Sequence, residues 1–286
     1  MILVVPVSQT DDEVLEDFVN VFNLFGPYPG HDLVVVSRPR DHILARETYR
    51  RIEHNFERGC KIHHTFDIDG RLGWPGGPNH YWLETAKYLK GDEYTNTDKP
   101  WLFLEMDMTP LRKDWVDKLE AEYNEVGKPF MGNLSWTTTT TGDQEMIKLC
   151  QHLVGAAIYP PDIEPYSRIW TYVNNINTAW DVLCQWEFPQ HAHDTKLIQL
   201  CFRTCNYKKY VDELGNYFVQ GDDREDWPDP TYTFSEPVNI GTAVLLHGCN
   251  DGSLARLVYE DVTGESVETE QQESIDAVSY THIRAH

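Results

Sequence analysis

The first hundred residues alternate between short apolar runs and amphipathic stretches, and that alternation leaves little choice of fold. Ile2 to Val7 is an apolar run interrupted by Pro6 near its end, and Ser8-Gln9-Thr10-Asp11 follows as a loop and helix cap. A helix is predicted from Glu13 to Phe25, with Val14, Leu15, Phe18, Val21 and Phe22 on one face and Gly26-Pro27 and Pro29-Gly30 beyond its end. His31 to Ser37 reads as a second buried strand, Ala45 to Phe56 as a charged helix and Lys61 to Ile68 as a third strand. Strands joined through helices by short connections imply a parallel sheet with right-handed crossovers. The expected class is α/β, a mostly parallel sheet flanked by helices.

A glycine-rich segment, Gly70 to His80, precedes a helix from Tyr81 to Leu89, which leads to the run Trp101 to Leu104 behind Pro100. That strand ends in Glu105-Met106-Asp107. In extended chain, residues i and i+2 share a face, so both carboxylates can converge on one hard divalent cation at the carboxyl edge of the sheet. A helix is expected from Asp114 to Tyr123, a short strand from Pro129 to Gly132 and another from Val154 to Tyr159. Residues 135 to 143, with five consecutive Thr, lack apolar alternation and are expected to form a mobile loop. The later chain looks irregular. Helices are expected near Thr178 to Trp186 and from Asp194 to Cys205, and strands at Lys208 to Val211 and Val244 to His247. Residues 221 to 237 show no periodicity. With no repeat or linker, the reading is one domain over 1–260 and a charged tail over 261–286.

The chain has 286 residues with 41% apolar side chains, enough for a full core. Its net charge of −22 argues against a broad basic face for nucleic acid. The six Cys form no CxxC pair and read as reduced core thiols, with Cys201 and Cys205 on one helix face. The first apolar run is too short for a signal peptide, and no run approaches a membrane span. A soluble, cytoplasmic protein without a membrane partner is expected.

The order of the parts (Glu105-Met106-Asp107 at a strand end, the strand GAAIYP, His193-Asp194, then a late His247-Gly248) resembles the GT-A glycosyltransferases. That family binds a nucleotide sugar through a divalent metal. Glu105 and Asp107 match its acid-x-acid motif, with Glu in place of the more usual Asp. Asp194 matches the end of its x-Glu-Asp motif, with His193 where Glu is usual, and His247 matches a C-terminal metal-binding His. The stretches LEMDMTPLRKDWVDKLEAEY, GKPFMGN and VGAAIYP are similar to phage and kinetoplastid glycosyltransferases associated with TET/JBP-type base oxygenases, though Met106 stands where those relatives often have Pro. The resemblance implies Mn²⁺ or Mg²⁺, a donor of the UDP-glucose type, and a 5-hydroxymethyl-pyrimidine such as hydroxymethylcytosine in DNA as acceptor. For a bacteriophage chain the compartment is then the host cytoplasm.

It also implies an acceptor-activating base, Asp194, with Asp181 as the rival. The nucleotide is expected at Pro6, Val7 and Ser8 after the first strand, at Ser37 and Arg38 after the second, at Asn79 and His80 at the end of the glycine-rich loop, and against Glu105 and Met106. Trp74, Trp136 and Tyr159 are candidate stacking partners. An imidazole ligand at His247 favours Mn²⁺ over Mg²⁺. Alternatives are a glycan or small-molecule acceptor, a sugar nucleotidyltransferase, or a silent binding module. A nucleotidyltransferase would want a glycine-rich, basic loop after the first strand, where this chain has SQTDDE. No P-loop or GxSxG motif is present.

Overall fold

The computed structural model describes residues 1–57, 60–65, 76–91, 98–140, 146–166, 179–200, 204–211, 217–223, 238–239, 242–249 and 251–264. The opening alternation holds: β1 (Ile2–Val7), α1 (Asp12–Phe25), β2 (Asp32–Ser37), α2 (His42–Ile52), β3 (Lys61–His64), α3 (Gly76–Lys90) and β4 (Trp101–Phe103) follow in order. β1 pairs in parallel with β2 and β4, and β2 with β3. The next elements are β5 (Met108–Pro110), α4 (Trp115–Val126), β6 (Phe130–Gly132), β7 (Leu134–Thr140), β8 (Met146–Leu153), β9 (Ile158–Tyr159), α5 (Trp180–Leu183) and β10 (Ala192–Asp194). A seven-stranded sheet results, in the order β10-β6-β9-β4-β1-β2-β3. Within it β9 alone runs against its neighbours, so the sheet is mixed but mostly parallel.

Alternation along β1 builds a core on each face of the sheet. Leu3, Val5 and Val7 pack with Phe18 and Phe22 of α1 and with Trp115 of α4, whereas Ile2 and Val4 face Trp82 of α3 and Trp101. The last elements are β11 (Ile198–Leu200), β12 (Thr204–Val211), β13 (Tyr217–Asp223), β14 (Val238–Asn239), β15 (Leu245–His247) and α6 (Ser253–Thr263). β15 lies between β11 and β5, antiparallel to β5 with His247 opposite Met108.

Several expectations need correction. Four of the five Thr are not in a loop: residues 134–140 form β7, paired with β8 from Leu134↔Leu153 to Thr140↔Met146, and residues 141–143 lie outside the described residues. Thr is β-branched and suits a ladder even without apolar alternation. No helix starts at Asp194. That residue ends β10, Ile198–Leu200 is strand, and Cys205 lies in β12, while Cys201 falls outside the described residues. The helix expected near Thr178 to Trp186 is one turn, Trp180–Leu183, and the strand expected from Val154 shrinks to Ile158–Tyr159. Among the described residues no helix is long and apolar enough to cross a membrane.

Candidate active site

The acid pair does not sit in extended chain. After β4 the backbone turns, Met108 N–H donating to Glu105 O at 3.0 Å, and re-enters a strand as β5. That turn brings Glu105 and Asp107 together, and the β5–β15 pairing delivers the third member. His247 Nε2 lies 3.1 Å from Glu105 Oε2 and 3.4 Å from Asp107 Oδ1. One ligand atom from each residue falls within 4.8 Å of the others.

The loop after β15 is bound back to the turn. Gly248 and Cys249 donate their N–H groups to Asp107 O at 3.2 and 3.3 Å. Asp251 Oδ1 accepts from Ser253 N at 3.1 Å and from Ser253 Oγ at 2.7 Å, which starts α6. From α6, Arg256 reaches Asp17 of α1 and donates to Asp251 O at 2.8 Å. Gly252, at φ +68°, lies under that pair, and a Cβ there would overlap Asp17 Oδ2. The loop behind His247 is thus anchored to α1.

Electrostatics at the cluster follow from burial. Desolvation pushes Asp107 up to about 6, the His247 charge opposing and the Glu105 charge adding. Burial also works against a charged His247, but Asp107 and Glu105 outweigh it and raise the imidazole to about 9. Asp107 Oδ1 is buried with no hydrogen bond among the described residues, and the charge it faces is the His247 imidazole at 3.4 Å, a place a bound cation could take. Two carboxylates and one imidazole make a donor set suited to Mn²⁺ and compatible with Mg²⁺.

A cavity of about 400 Å³ opens beside the cluster, and Glu105, Met106 and Asp107 form part of its wall. Pro6, Ser8 and Arg38 line it, together with Asp11 and Val14 at the start of α1 and Tyr81 from α3. Arg38 is held rigidly. Its Nε donates to Asp41 Oδ2 at 3.1 Å and to the Tyr81 hydroxyl at 3.0 Å, Nη2 lies 3.4 Å from Ser8 Oγ, and Nη1 is buried without a hydrogen-bond partner. Burial pushes Asp11 up to about 7, against the Ser8 N–H that it accepts and with the Asp107, Glu105 and Asp41 charges adding. Asp11 and Tyr81 were not anticipated as site residues. The signal for Asp11 was its place just past β1, where open α/β sheets bind ligands.

Other expected residues are hydrogen-bonded within the fold and are not among those that line this cavity. Val7 O accepts the Tyr81 hydroxyl at 3.0 Å, and Ser37 Oγ bonds His64 Nδ1 at 2.9 Å. Asn79 and His80 lie inside α3 and not in a loop: Asn79 Oδ1 accepts from Trp180 N at 2.7 Å, and His80 Nε2 sits 3.1 Å from Thr65 Oγ1. Tyr159 is buried against Trp82 and Trp101, Trp136 is on β7, and Trp74 lies outside the described residues.

The two candidate bases differ in setting. Asp194 Oδ1 accepts from Leu134 N at 3.0 Å and Oδ2 lies 3.5 Å from Lys196, on the outermost strand of the sheet. Asp181 stands in α5 with Oδ2 4.0 Å from His152 Nε2. Burial pushes it up to about 6, the Val182 N–H opposing and the Glu105 charge adding. Gly155 lets this side close up, since a Cβ there would lie 3.0 Å from Trp180 and 3.6 Å from Glu105 Oε1. Of the two, Asp181 shares the electrostatic field of the cluster.

No protein-family model and no curated protein matches the chain. Among solved structures it is similar to the galactosyltransferase LgtC in complex with donor and acceptor sugar analogs, with 12% identity over 87% of each chain and a TM-score of 0.46. It is also similar to 4-diphosphocytidyl-2C-methyl-D-erythritol synthase from Anaerococcus prevotii DSM 20548, with 9% identity over 65% of this chain and 82% of that one and a TM-score of 0.40. For S. aureus TarS the figures are 16% identity over 56% of this chain and 46% of that one, with a TM-score of 0.31. Likeness this loose carries neither an activity nor a substrate over to this chain.

Proposed function

We propose that the protein is a metal-dependent glycosyltransferase that moves a hexose from a nucleotide sugar of the UDP-glucose type to the hydroxymethyl group of a pyrimidine in DNA. The observation that carries the transferase reading is the convergence of Glu105, Asp107 and His247 beside a cavity of about 400 Å³ whose wall includes Glu105 and Asp107. The DNA acceptor rests on the resemblance carried by residues 104–123 and the two later stretches.

Glu105, Asp107 and His247 would hold Mn²⁺ or Mg²⁺. Such an ion, when bound, would offset the charge that grows on the departing diphosphate as the glycosidic bond breaks. Arg38, fixed by Asp41 and Tyr81, offers the buried Nη1 to an acceptor atom of the nucleotide, and Ser8 and Asp11 line the same wall. In an inverting transfer Asp181 takes the acceptor proton. Its raised pKa keeps it basic enough for that role yet mostly ionised at pH 7. Asp194 is the second choice, because its carboxylate is engaged by Leu134 N and Lys196.

Mass spectrometry of hydroxymethylated and unmodified DNA, incubated with a panel of nucleotide sugars with and without Mn²⁺, tests the reading. A hexose added to hydroxymethylated DNA alone, and only with metal, is the expected result. Full transfer by chelator-treated enzyme refutes the metal role. Sugar found only on a glycan or small molecule refutes the acceptor, and nucleotide-sugar synthesis in place of transfer favours the nucleotidyltransferase alternative.

A further inference from the structure

The net charge of −22 is the obvious obstacle to a polyanionic acceptor, yet the charge is not spread evenly. Residues 38–64 hold seven of the 24 Lys and Arg (Arg38, Arg40, Arg46, Arg50, Arg51, Arg58, Lys61) against four acids (Asp41, Glu47, Glu53, Glu57). That segment is +3, and by difference the remainder of the chain is −25. Its described residues include α2 and the edge strand β3, while Arg58 lies outside the described residues.

The outer face of α2 is largely exposed. Ala45, Thr48 and Ile52 are buried toward the sheet, whereas His42, Ile43, Arg46 and Arg50 are exposed, Ile43 at 70%. Positions 43, 46 and 50 share one helical face, and Arg46 and Arg50 are one turn apart, about 6 Å along the axis. Arg40 is exposed just ahead of the helix. Two arginines of the segment are engaged, Arg38 by Asp41 and Arg51 by Glu16. Arg40, Arg46 and Arg50 form no ion pair among the described residues, although Glu47, also exposed, interrupts the face.

This face adjoins the proposed donor site. Arg38, which lines the cavity, stands between Ser37 and the turn that opens α2. Ser37 bonds His64 of β3, and burial together with the charge of Arg46 holds His64 below its usual range. The positive ridge therefore begins beside the cavity and runs away from it along α2.

We infer that the outer face of α2, formed by Arg40, Arg46 and Arg50 around Ile43, is a docking surface for the phosphate backbone of a nucleic acid. The inference rests on the proposed transfer to a DNA base and specifies how an acidic protein can hold such an acceptor. Unpaired, exposed arginines bind phosphate with bidentate geometry and release counterions. Strong negative charge on the rest of the chain repels the same polymer elsewhere and confines it to this path.

Fluorescence anisotropy with a labelled DNA oligonucleotide, titrated between about 50 and 200 mM salt, is the test. It needs neither turnover nor a hydroxymethyl group. Wild type should bind with an affinity that falls steeply with salt. The variant Arg40→Ala/Arg46→Ala/Arg50→Ala should bind about tenfold or more weakly, with a log–log salt slope shallower by roughly 2 to 3. The control Lys87→Ala/Lys113→Ala/Lys128→Ala, equal in net charge, should behave as wild type, and Arg46→Lys/Arg50→Lys should keep the slope. Metal-dependent binding of UDP should be unchanged in every variant, which separates failure of this surface from failure of the transferase reading. The inference is overturned if wild type does not bind the oligonucleotide, or if the lysine control loses as much as the arginine variant. Equal occupancy of the face by polyglutamate or by phosphatidylserine vesicles would also overturn it.

Discussion

Replacing Asp107 by Asn should separate stability from metal binding. Asp107 is 19% exposed, and burial pushes its carboxyl up to about 6. A carboxylate pKa raised about two units by folding costs roughly 3 kcal/mol when the group is ionised at pH 7. The sign is that of a raised acid: the folded chain binds the proton more tightly, so stability falls as pH rises from the usual carboxylate range through about 6. Asn removes this cost. It also takes one of two carboxylates from His247, which keeps Glu105 at 3.1 Å. These effects oppose each other, so the metal-free variant should lie within about 1 kcal/mol of wild type or above it. The response to Mn²⁺ should differ sharply. At about 100 times its Kd, Mn²⁺ stabilises wild type by about 2.7 kcal/mol, and the variant should gain almost nothing at the same concentration. Urea unfolding with and without Mn²⁺ measures both quantities. Equal gains by the two proteins, or no gain by wild type, would refute the ligand assignment. A metal-free variant destabilised by several kcal/mol would refute the estimated cost of burying Asp107.

Two further outcomes are expected. Asp181→Asn should lower transfer by roughly 10²–10⁴ with UDP and Mn²⁺ binding unchanged, while Asp194→Asn stays near wild type; because a base must be deprotonated, the wild-type rate should rise with pH through about 6 and then level off. Stopped-assay rates across pH decide this, and the opposite ranking of the two variants returns the role to Asp194. Gly252→Ala should destabilise by about 1–3 kcal/mol, because φ +68° and the overlap with Asp17 Oδ2 both oppose a Cβ. Thermal unfolding of Gly252→Ala, Asp17→Ala and the double variant should then be non-additive, and strict additivity would sink the steric explanation.

The sheet was legible because its signals are local. The apolar period and the helix faces of α1 and α4 need no knowledge of the rest of the chain. The acid pair at the end of β4 was a local signal as well, whereas His247 was proposed as a ligand only from the resemblance. The way the three converge was not legible, since the turn at residues 105–107 and the β5–β15 pairing depend on chain that returns from far away. A helix was expected to start at Asp194 because Asp is a common residue at a helix N-terminus. Tertiary pairing with β6 makes that residue a strand end. The Thr run illustrates the converse, where intrinsic strand preference outweighed a missing apolar pattern. Asn79 and His80 were placed in a loop because Gly76, Gly77 and Pro78 suggest one, yet all five lie in the first turns of α3.

The pairing of β5 with β15 has a bearing on how the protein is made. Glu105 and His247 are 142 residues apart in sequence and in contact in the fold. During synthesis the two carboxylates leave the ribosome long before the imidazole, so the emerging chain carries the proposed metal site incomplete. Closing a loop of that length costs on the order of 4 kcal/mol in chain entropy beyond a constant. A cation bridging the turn and β15 rewards only the closed state, and at saturating concentration it repays a large part of that cost. On the proposed metal role, loading would be tied to completion of the fold, and metal starvation should lower the yield of the native protein during refolding as well as its turnover.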